Sequence, residues 1–316
     1  IYTLSLHDAL PIYIGSNTVR LTVYEADPAT GGFSTLFKLK TMAGLVSYID
    51  KRSGRMEEAG VRKLVEVLQE YLACTAHFKQ LRGPYAFATA GVRNAKNAKE
   101  VIARVRETCG LEVDLVSGRE EARLGYIGAM RQSALTRGVQ IDVGGGSTEV
   151  SVFENGAILH SHSIPEGSLS LFSSQVHDLL PTPCEADRIR SIVREELRSV
   201  EGLRGFSAPV ASGTGGSVRA VARLRDAWAP DPAAAPGRLT CAQMDAVTKR
   251  VFYDPHGSMR DILRIAPERA HTCIPGLLVA REVLELFGTS ELEVHDFGVR
   301  EGYLLSKVLK PSRTQR

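Results

Sequence analysis

Two stretches of this chain are one hairpin written twice. Residues 14–25, IGSNTVRLTVYE, align without a gap to residues 143–154, VGGGSTEVSVFE. Gly15/Gly144, Val23/Val152 and Glu25/Glu154 are identical, and Ile14/Val143, Leu21/Val150, Thr22/Ser151 and Tyr24/Phe153 are chemically alike. Alternating apolar residues would match any two strands, but a shared glycine turn ahead of the alternation reads as duplication. The chain is therefore expected to hold two related subdomains, each presenting a strand, a glycine turn and a returning strand. Asp142 stands just before the second hairpin and Tyr13 holds the same place before the first. The repeat alone thus suggests that an acid belongs at position 13.

The rest of the chain sets that repeat in an α/β pattern. Helical spacing runs through Val61, Leu64, Val65, Leu68 and Leu72, and further helices are expected at 97–108, 119–131, 185–204, 216–225, 241–252 and 268–287. Strands are expected at 85–90, 111–116, 139–143, 147–153, 208–212 and 292–296, and Ala227 to Gly237 reads as a Pro/Ala-rich loop. Strands alternating with helices argue for an α/β class. The 316 residues are 43% hydrophobic, enough for a sizeable core. No apolar run reaches membrane-span length, and nothing at the N-terminus resembles a secretory signal. The net charge of +3 is far from the basic stripe of a bulk nucleic-acid binder. Cys74, Cys109, Cys184, Cys241 and Cys273 show no CxxC spacing, which disfavours a disulfide scaffold or zinc site and fits a reducing cytoplasm.

Residues Ile1 to Ile12 fit no element well. They match the in-frame translation of a common sequencing-adapter oligonucleotide, so this segment is expected to be non-native. A hybrid codon at the junction would then allow Tyr, His, Asn or Asp at position 13.

The strongest local signal is Asp142-Val143-Gly144-Gly145-Gly146-Ser147-Thr148-Glu149. Glycines let backbone approach an anion and aim successive N–H groups at its oxygens. Ser147 and Thr148 can add hydroxyl donors, and Asp142 at a strand end can hold Mg²⁺ directly or through its waters. Gly15-Ser16-Asn17-Thr18 is a weaker phosphate turn that gains from its symmetry with the second, and Arg20 beyond it can meet phosphate bidentately or remain solvated. Gly213-Thr214-Gly215-Gly216-Ser217, between a strand and a helix, is either an anion site or a capping loop. Arg93 follows a buried strand, and strand ends in open α/β sheets border ligand crevices. Glu120 and Glu121 open a helix, where spacing alone favours a role in complementing the helix dipole. The His-Asp pairs at 7/8, 177/178 and 295/296 lack further spaced ligands and carry little weight.

Taken in order, these segments resemble the exopolyphosphatase / guanosine pentaphosphate phosphohydrolase family. The resemblance runs from residue 13 to about 309 through IGSNTVRL (14–21), ATAGVRNAKN (88–97), SGREEARLGYIG (117–128), DVGGGSTE (142–149), ASGTGGS (211–217), ERAHTCIPG (268–276) and DFGVREGYL (296–304). It implies two RNase H-like domains of the actin-like, sugar-kinase-like ATPase fold with a cleft between them. The expected division gives domain I residues 13–124 and 299–312, and domain II residues 125–298. The implied activity is Mg²⁺-assisted removal of a terminal phosphate from inorganic polyphosphate, or of the 5′ γ-phosphate from guanosine pentaphosphate, a stringent-response substrate.

By the same resemblance Glu121 is the catalytic carboxylate that positions or deprotonates water, replacing the dipole role that spacing favoured. Glu149 is the second catalytic carboxylate, Asp142 the metal-binding acid and Arg93 the phosphate-binding arginine. Gly144, Gly145, Gly146, Ser147 and Thr148 form the phosphate turn, with Gly15, Ser16, Asn17, Thr18, Arg20, Gly213 and Thr214 as further phosphate-binding positions. Such a set is coherent for phosphoryl transfer, which needs positioning and charge neutralisation more than covalent chemistry. A cytoplasmic homodimer that engages neither nucleic acid nor membrane is the expected setting.

This sequence departs from the family pattern at three places. Tyr13 stands where the family has an aspartate, the first metal-binding acid, so the chain as written is expected to bind Mg²⁺ poorly. His271 replaces a usual aspartate, and Lys40 to Leu45 replaces a usual Arg-Leu-Gly segment. The resemblance is to the short form without the C-terminal helical extension, which favours short chains or nucleotide substrates. A phosphotransferase of the same fold and a non-catalytic nucleotide or polyphosphate sensor are the alternatives; the Ser-Gly-x-Glu-Glu-Ala segment favours water attack, and Tyr13 favours the sensor.

Overall fold

A computed structural model describes residues 9–27, 32–76, 82–203, 205–230 and 237–309. The chain packs as two compact units, one running up to Ser117 and resuming at Arg300, the other spanning Gly118–Val299. The helix that carries Glu121 therefore counts with the second unit, and the division falls at 117/118 rather than at the expected 124/125.

The first unit contains β1 (Ala9–Ile14), β2 (Thr18–Asp27), β3 (Gly32–Met42), α1 (Glu58–Thr75), β4 (Arg82–Ala88), α2 (Ala90–Arg93), α3 (Ala98–Cys109) and β5 (Val113–Leu115). Its sheet order is β3-β2-β1-β4-β5, with β1 antiparallel to β2 and parallel to β4. The expectation that the first twelve residues fit no element fails for Ala9–Ile12, which lie buried in the central strand; residues 1–8, with His7-Asp8, lie outside the described residues. Helix α1 buries Val61, Leu64, Val67, Leu68 and Tyr71 on one stripe, as helical periodicity requires. The Tyr71 hydroxyl donates to the Val19 carbonyl at 3.0 Å and so ties that helix to the hairpin.

The second unit contains α4 (Gly118–Ala129), β6 (Arg137–Val143), β7 (Thr148–Glu154), β8 (Ala157–Ile164), α5 (Ser168–Gln175), α6 (Pro183–Arg198), β9 (Val210–Thr214), α7 (Gly216–Trp228), β10 (Arg238–Thr240), α8 (Cys241–Tyr253), α9 (Pro255–Ile265), α10 (Cys273–Leu286) and β11 (Glu291–Val294). Its sheet order is β10-β11-β9-β6-β7-β8, with β9 parallel to both β6 and β11. Helix α11 (Val299–Tyr303) begins where the chain returns to the first unit. Among the described residues no helix is long and apolar enough to cross a membrane.

The duplication holds at the level of register. Ile14 pairs with Val19 and Tyr13 with Arg20 in the first hairpin, while Val143 pairs with Thr148 and Asp142 with Glu149 in the second. Each turn closes through the same bond, Gly15 N–H to the Thr18 carbonyl and Gly144 N–H to the Ser147 carbonyl, both at 3.0 Å. An antiparallel meander followed by parallel strands is present in each unit, giving two RNase H-like domains of the actin-like fold.

Register also sets which side chains line up. Directly paired residues in a ladder share a face. Thr214, Asp142, Glu149 and Ser163 therefore form one row across β9, β6, β7 and β8. The matching row of the first unit reads Phe87, Tyr13, Arg20 and Lys40.

Candidate active site

The glycine turn of the second unit is oriented by the helix that follows it. The Gly144 carbonyl accepts from the Ser168 N–H and hydroxyl, both at 2.9 Å, and the Gly145 carbonyl accepts from the N–H groups of Leu169 at 2.8 Å and Ser170 at 2.9 Å. In a trans peptide the carbonyl and the next N–H point in opposite directions. With both carbonyls turned to the N-terminus of α5, the N–H groups of Gly145 and Gly146 face away from it. Successive N–H groups on one side make an anion-binding concavity. The hydroxyls expected to assist are committed elsewhere: Ser147 donates to Glu149 Oε1 at 2.8 Å and Thr148 to the Glu166 carbonyl at 2.8 Å. Backbone N–H groups, rather than hydroxyls, are the donors this turn offers.

Three carboxylates gather beside that turn. Asp142 is the last but one residue of β6, and Glu149 lies opposite it on β7, 2% exposed. Helix α4 packs on β6, β7, β8 and β9. A side chain on Gly125 would begin 3.7 Å from Asp142 Oδ2, so this turn of α4 lies directly on the row. Glu121 is four residues earlier and shares that helix face, buried at 5% exposure. Burial raises the Glu149 carboxyl well above the ordinary carboxylate range, the charges of Glu121 and Asp142 raise it further, and hydrogen bonds from Ser163 and Ser147 pull it back. A carboxyl held this way readily keeps a proton, and the crowded negative charge is a setting that a cation relieves.

The first unit carries the other turn. The Ser16 and Asn17 carbonyls accept from Val46 and Gly44 N–H at 3.0 Å each, so the N–H groups of Asn17 and Thr18 face the other way, one position later in the turn than in the second unit. Gly91 of α2 packs against Ser16, close enough that an added Cβ would fall 2.5 Å from Ser16 Cα. Arg93, on the same short helix, donates to the Val116 carbonyl at 3.0 Å. Tyr13 leans over the turn itself: a Cβ on Gly15 would fall 2.5 Å from the Tyr13 hydroxyl. That hydroxyl is 3.5 Å from Thr89 Oγ1, and the ring is tilted against Phe87 at 5.4 Å. Arg20 stands opposite Tyr13 on β2, with Lys40 beyond it on β3.

Gly213 and Thr214 are placed on a strand, β9, rather than on a turn. The Thr214 hydroxyl is buried against Gln140 at 3.3 Å and the Ile141 carbonyl at 3.4 Å, while Gly213 leaves room for Leu292. The glycine requirement there is a packing requirement. His295-Asp296 borders a separate cavity of about 390 Å³ at the carboxyl end of β11, shared with Gln132, Arg238 and Glu293. His177-Asp178 reduces to structure, since His177 Nδ1 lies 2.7 Å from Glu185 Oε1 near the start of α6. Sequence reasoning missed Ser163 and the docking of α5 on the turn. Only strand register brings Ser163 to Glu149, and only a helix start at Ser168 could have pointed to the second.

Comparison with known proteins identifies the family and the fold. Residues 22–311 match the model of the Ppx/GppA phosphatase family. Exopolyphosphatase 1 of Mycobacterium tuberculosis is 29% identical over 307 residues, covering 93% of this chain and 86% of that protein. The crystal structure of a Ppx/GppA family member from Aquifex aeolicus is 30% identical with a TM-score of 0.75, covering 96% of this chain and 98% of that one. An exopolyphosphatase structure from Cytophaga hutchinsonii, 21% identical, shares the fold at a TM-score of 0.78 over 94% of this chain and 96% of that one.

Proposed function

The chain belongs to the Ppx/GppA phosphatase family, and from that premise we propose that it hydrolyses terminal phosphoanhydride bonds, with inorganic polyphosphate as the first substrate class and guanosine pentaphosphate as the second. The observation that carries this reading is the gathering of carboxylates beside a glycine turn whose N–H groups point away from α5 in the second unit. In it, the Gly145 and Gly146 N–H groups hold the terminal phosphate. Glu121 orients a water molecule and accepts its proton as the water oxygen bonds to phosphorus. The bridging oxygen leaves with the shortened chain. Glu149 is the second carboxylate of the reaction, and its elevated affinity for a proton suits transfer to the departing oxygen. Arg93, Arg20 and the Gly15 to Thr18 turn are the phosphate-binding residues of the first unit in this proposal.

Mg²⁺ fits part of this donor set. Asp142 is a hard oxygen ligand at a strand end among other acids, which suits the ion; the phenol of Tyr13 does not. No group of three or more His, Cys, Asp or Glu side chains among the described residues is arranged to hold a metal, so in this proposal Asp142 is the carboxylate offered to the ion, with waters and substrate phosphates completing its shell. When bound it would offset charge on the phosphate oxygens.

The test is phosphate release from polyphosphate and from guanosine pentaphosphate, measured with and without Mg²⁺, on the intact chain and its Tyr13→Asp variant. Glu121→Gln in the more active of the two is expected to lower kcat by about 10²- to 10⁴-fold. Unchanged turnover in Glu121→Gln would remove the water-activating role, and phosphate transfer to an added alcohol in place of water would make the protein a phosphotransferase.

A further inference from the structure

Glu149 is held from two strands at once. Ser147, at the end of the glycine turn, donates to Glu149 Oε1 at 2.8 Å. Ser163, on β8, donates to the same oxygen at 2.7 Å. Ser163 is the direct partner of Glu149 in the β7–β8 ladder, as Asp142 is in the β6–β7 ladder. A carboxylate oxygen has two lone pairs in its plane, and two hydroxyls converging on Oε1 fill both. The plane of the carboxyl is thereby fixed, and Oε2 is the oxygen left to meet a reacting group.

We propose that Ser163 is a positioning residue for the phosphoanhydride hydrolysis, fixing the Glu149 carboxyl from the neighbouring strand so that Oε2 presents to the reacting phosphate. The inference rests on the role given above to Glu149. Three observations favour it over simple satisfaction of a buried carboxylate. Ser147 alone already gives Oε1 a short bond, so the second donor adds orientation more than solvation. The two anchors approach from different elements, a turn and a strand, which restrains rotation about the last side-chain torsion, a soft one for glutamate. Ser163 also sits on the edge strand β8, directly across the ladder from Glu149. A site whose carboxylate is restrained by supporting hydrogen bonds holds its reactive geometry more closely than one left to rotate.

Steady-state kinetics on five variants of the chain tests this in whichever background, parent or Tyr13→Asp, releases phosphate. Ser163→Ala is expected to lower kcat about tenfold, within the 10- to 100-fold typical of supporting residues, with KM within about twofold of the parent. Ser163→Thr, which keeps the hydroxyl, is expected to restore most of that loss. Ser163→Val matches threonine in shape without the hydroxyl and is expected to behave like alanine, so the Thr/Val pair decides the matter even where alanine folds poorly. Adding Ser163→Ala to Glu149→Gln is expected to cost little beyond Glu149→Gln itself, because a positioning residue loses its effect with the group it positions. Equal kcat in the Thr and Val variants, or a full tenfold further loss in the double variant, would overturn the role of Ser163. Phosphate release undiminished by Glu149→Gln would instead overturn the function on which it rests.

Discussion

At the scale of single residues, position 13 separates two effects that one side chain combines. Tyr13 lacks a carboxylate, and its ring lies on the glycine turn where an anion would approach. Tyr13→Asp removes the ring and supplies the acid; Tyr13→Ala removes only the ring. Replacement by aspartate is expected to raise phosphate release on the order of 10- to 100-fold, with alanine recovering a smaller part. Equal gains from both would mean that obstruction, and not a missing ligand, limits this chain. No gain from either would take position 13 out of the site. Asp142 and the glycines of the site were legible from sequence because their spacing is local; Glu121 and Glu149 drew their roles from the family resemblance, since spacing alone favoured a dipole role for Glu121. Ser163 was not, since a serine in a strand signals nothing until the register places it opposite Glu149. The hydroxyls of Ser147 and Thr148 illustrate the reverse: residue type suggested donors to phosphate, whereas the geometry commits each to its own scaffold.

At the scale of elements, the duplicated hairpin could be read because a glycine turn and an alternating strand recur together. Strand β1 could not. It is buried almost throughout and so lacks alternation, and Pro11 argues against a central strand. The ladder to β4 indeed shifts register between Ala9 and Pro11. Helix α9 was hidden by its own start signal, since Asp254-Pro255 reads as a turn while Asp254 Oδ1 in fact caps the Gly257 N–H at 2.9 Å. The docking of α5 on the turn is the element-level feature on which anion binding depends, and Gly167 is its pivot. A Cβ there would fall 2.6 Å from the Gly145 carbonyl carbon and 2.7 Å from the Gly146 nitrogen, both backbone atoms with little room to yield. Gly167→Ala is expected to cost about 1–3 kcal/mol and to lower Tm by several degrees. Because the turn must shift with the helix, kcat should fall as well, even at temperatures where the variant is fully folded. A variant that melts and turns over like the parent would show that α5 does not set the turn.

At the scale of the whole molecule, each unit has its own core. The first gathers residues between Leu10 and Leu111, the second residues between Val139 and Leu292, with no residue in common. Two such cores permit separate unfolding transitions, so stability is best followed unit by unit. Trp228, the only tryptophan, lies in the second unit and reports on it alone. Two glutamates of that unit respond to pH with opposite sign. Glu185 is buried at the start of α6; burial would raise its carboxyl, but N–H and hydroxyl donors from Thr182 and a ring nitrogen and N–H from His177 together hold it down to about 2. A depressed value in the folded state means stability that is present above the ordinary glutamate value of 4.5 and is lost as pH falls through about 2. Glu149 is raised, so its protonation favours the folded form and cannot cause acid unfolding. The midpoint reported by Trp228 fluorescence is therefore expected to drop between pH 4.5 and 2. Glu185→Gln, which keeps the size but not the charge, should lower the neutral-pH stability of the second unit by about 2 kcal/mol, the worth of hydrogen bonds to a charged acceptor, and flatten that acid limb. Parallel pH curves for the two proteins would show that the start of α6 is not what acid attacks.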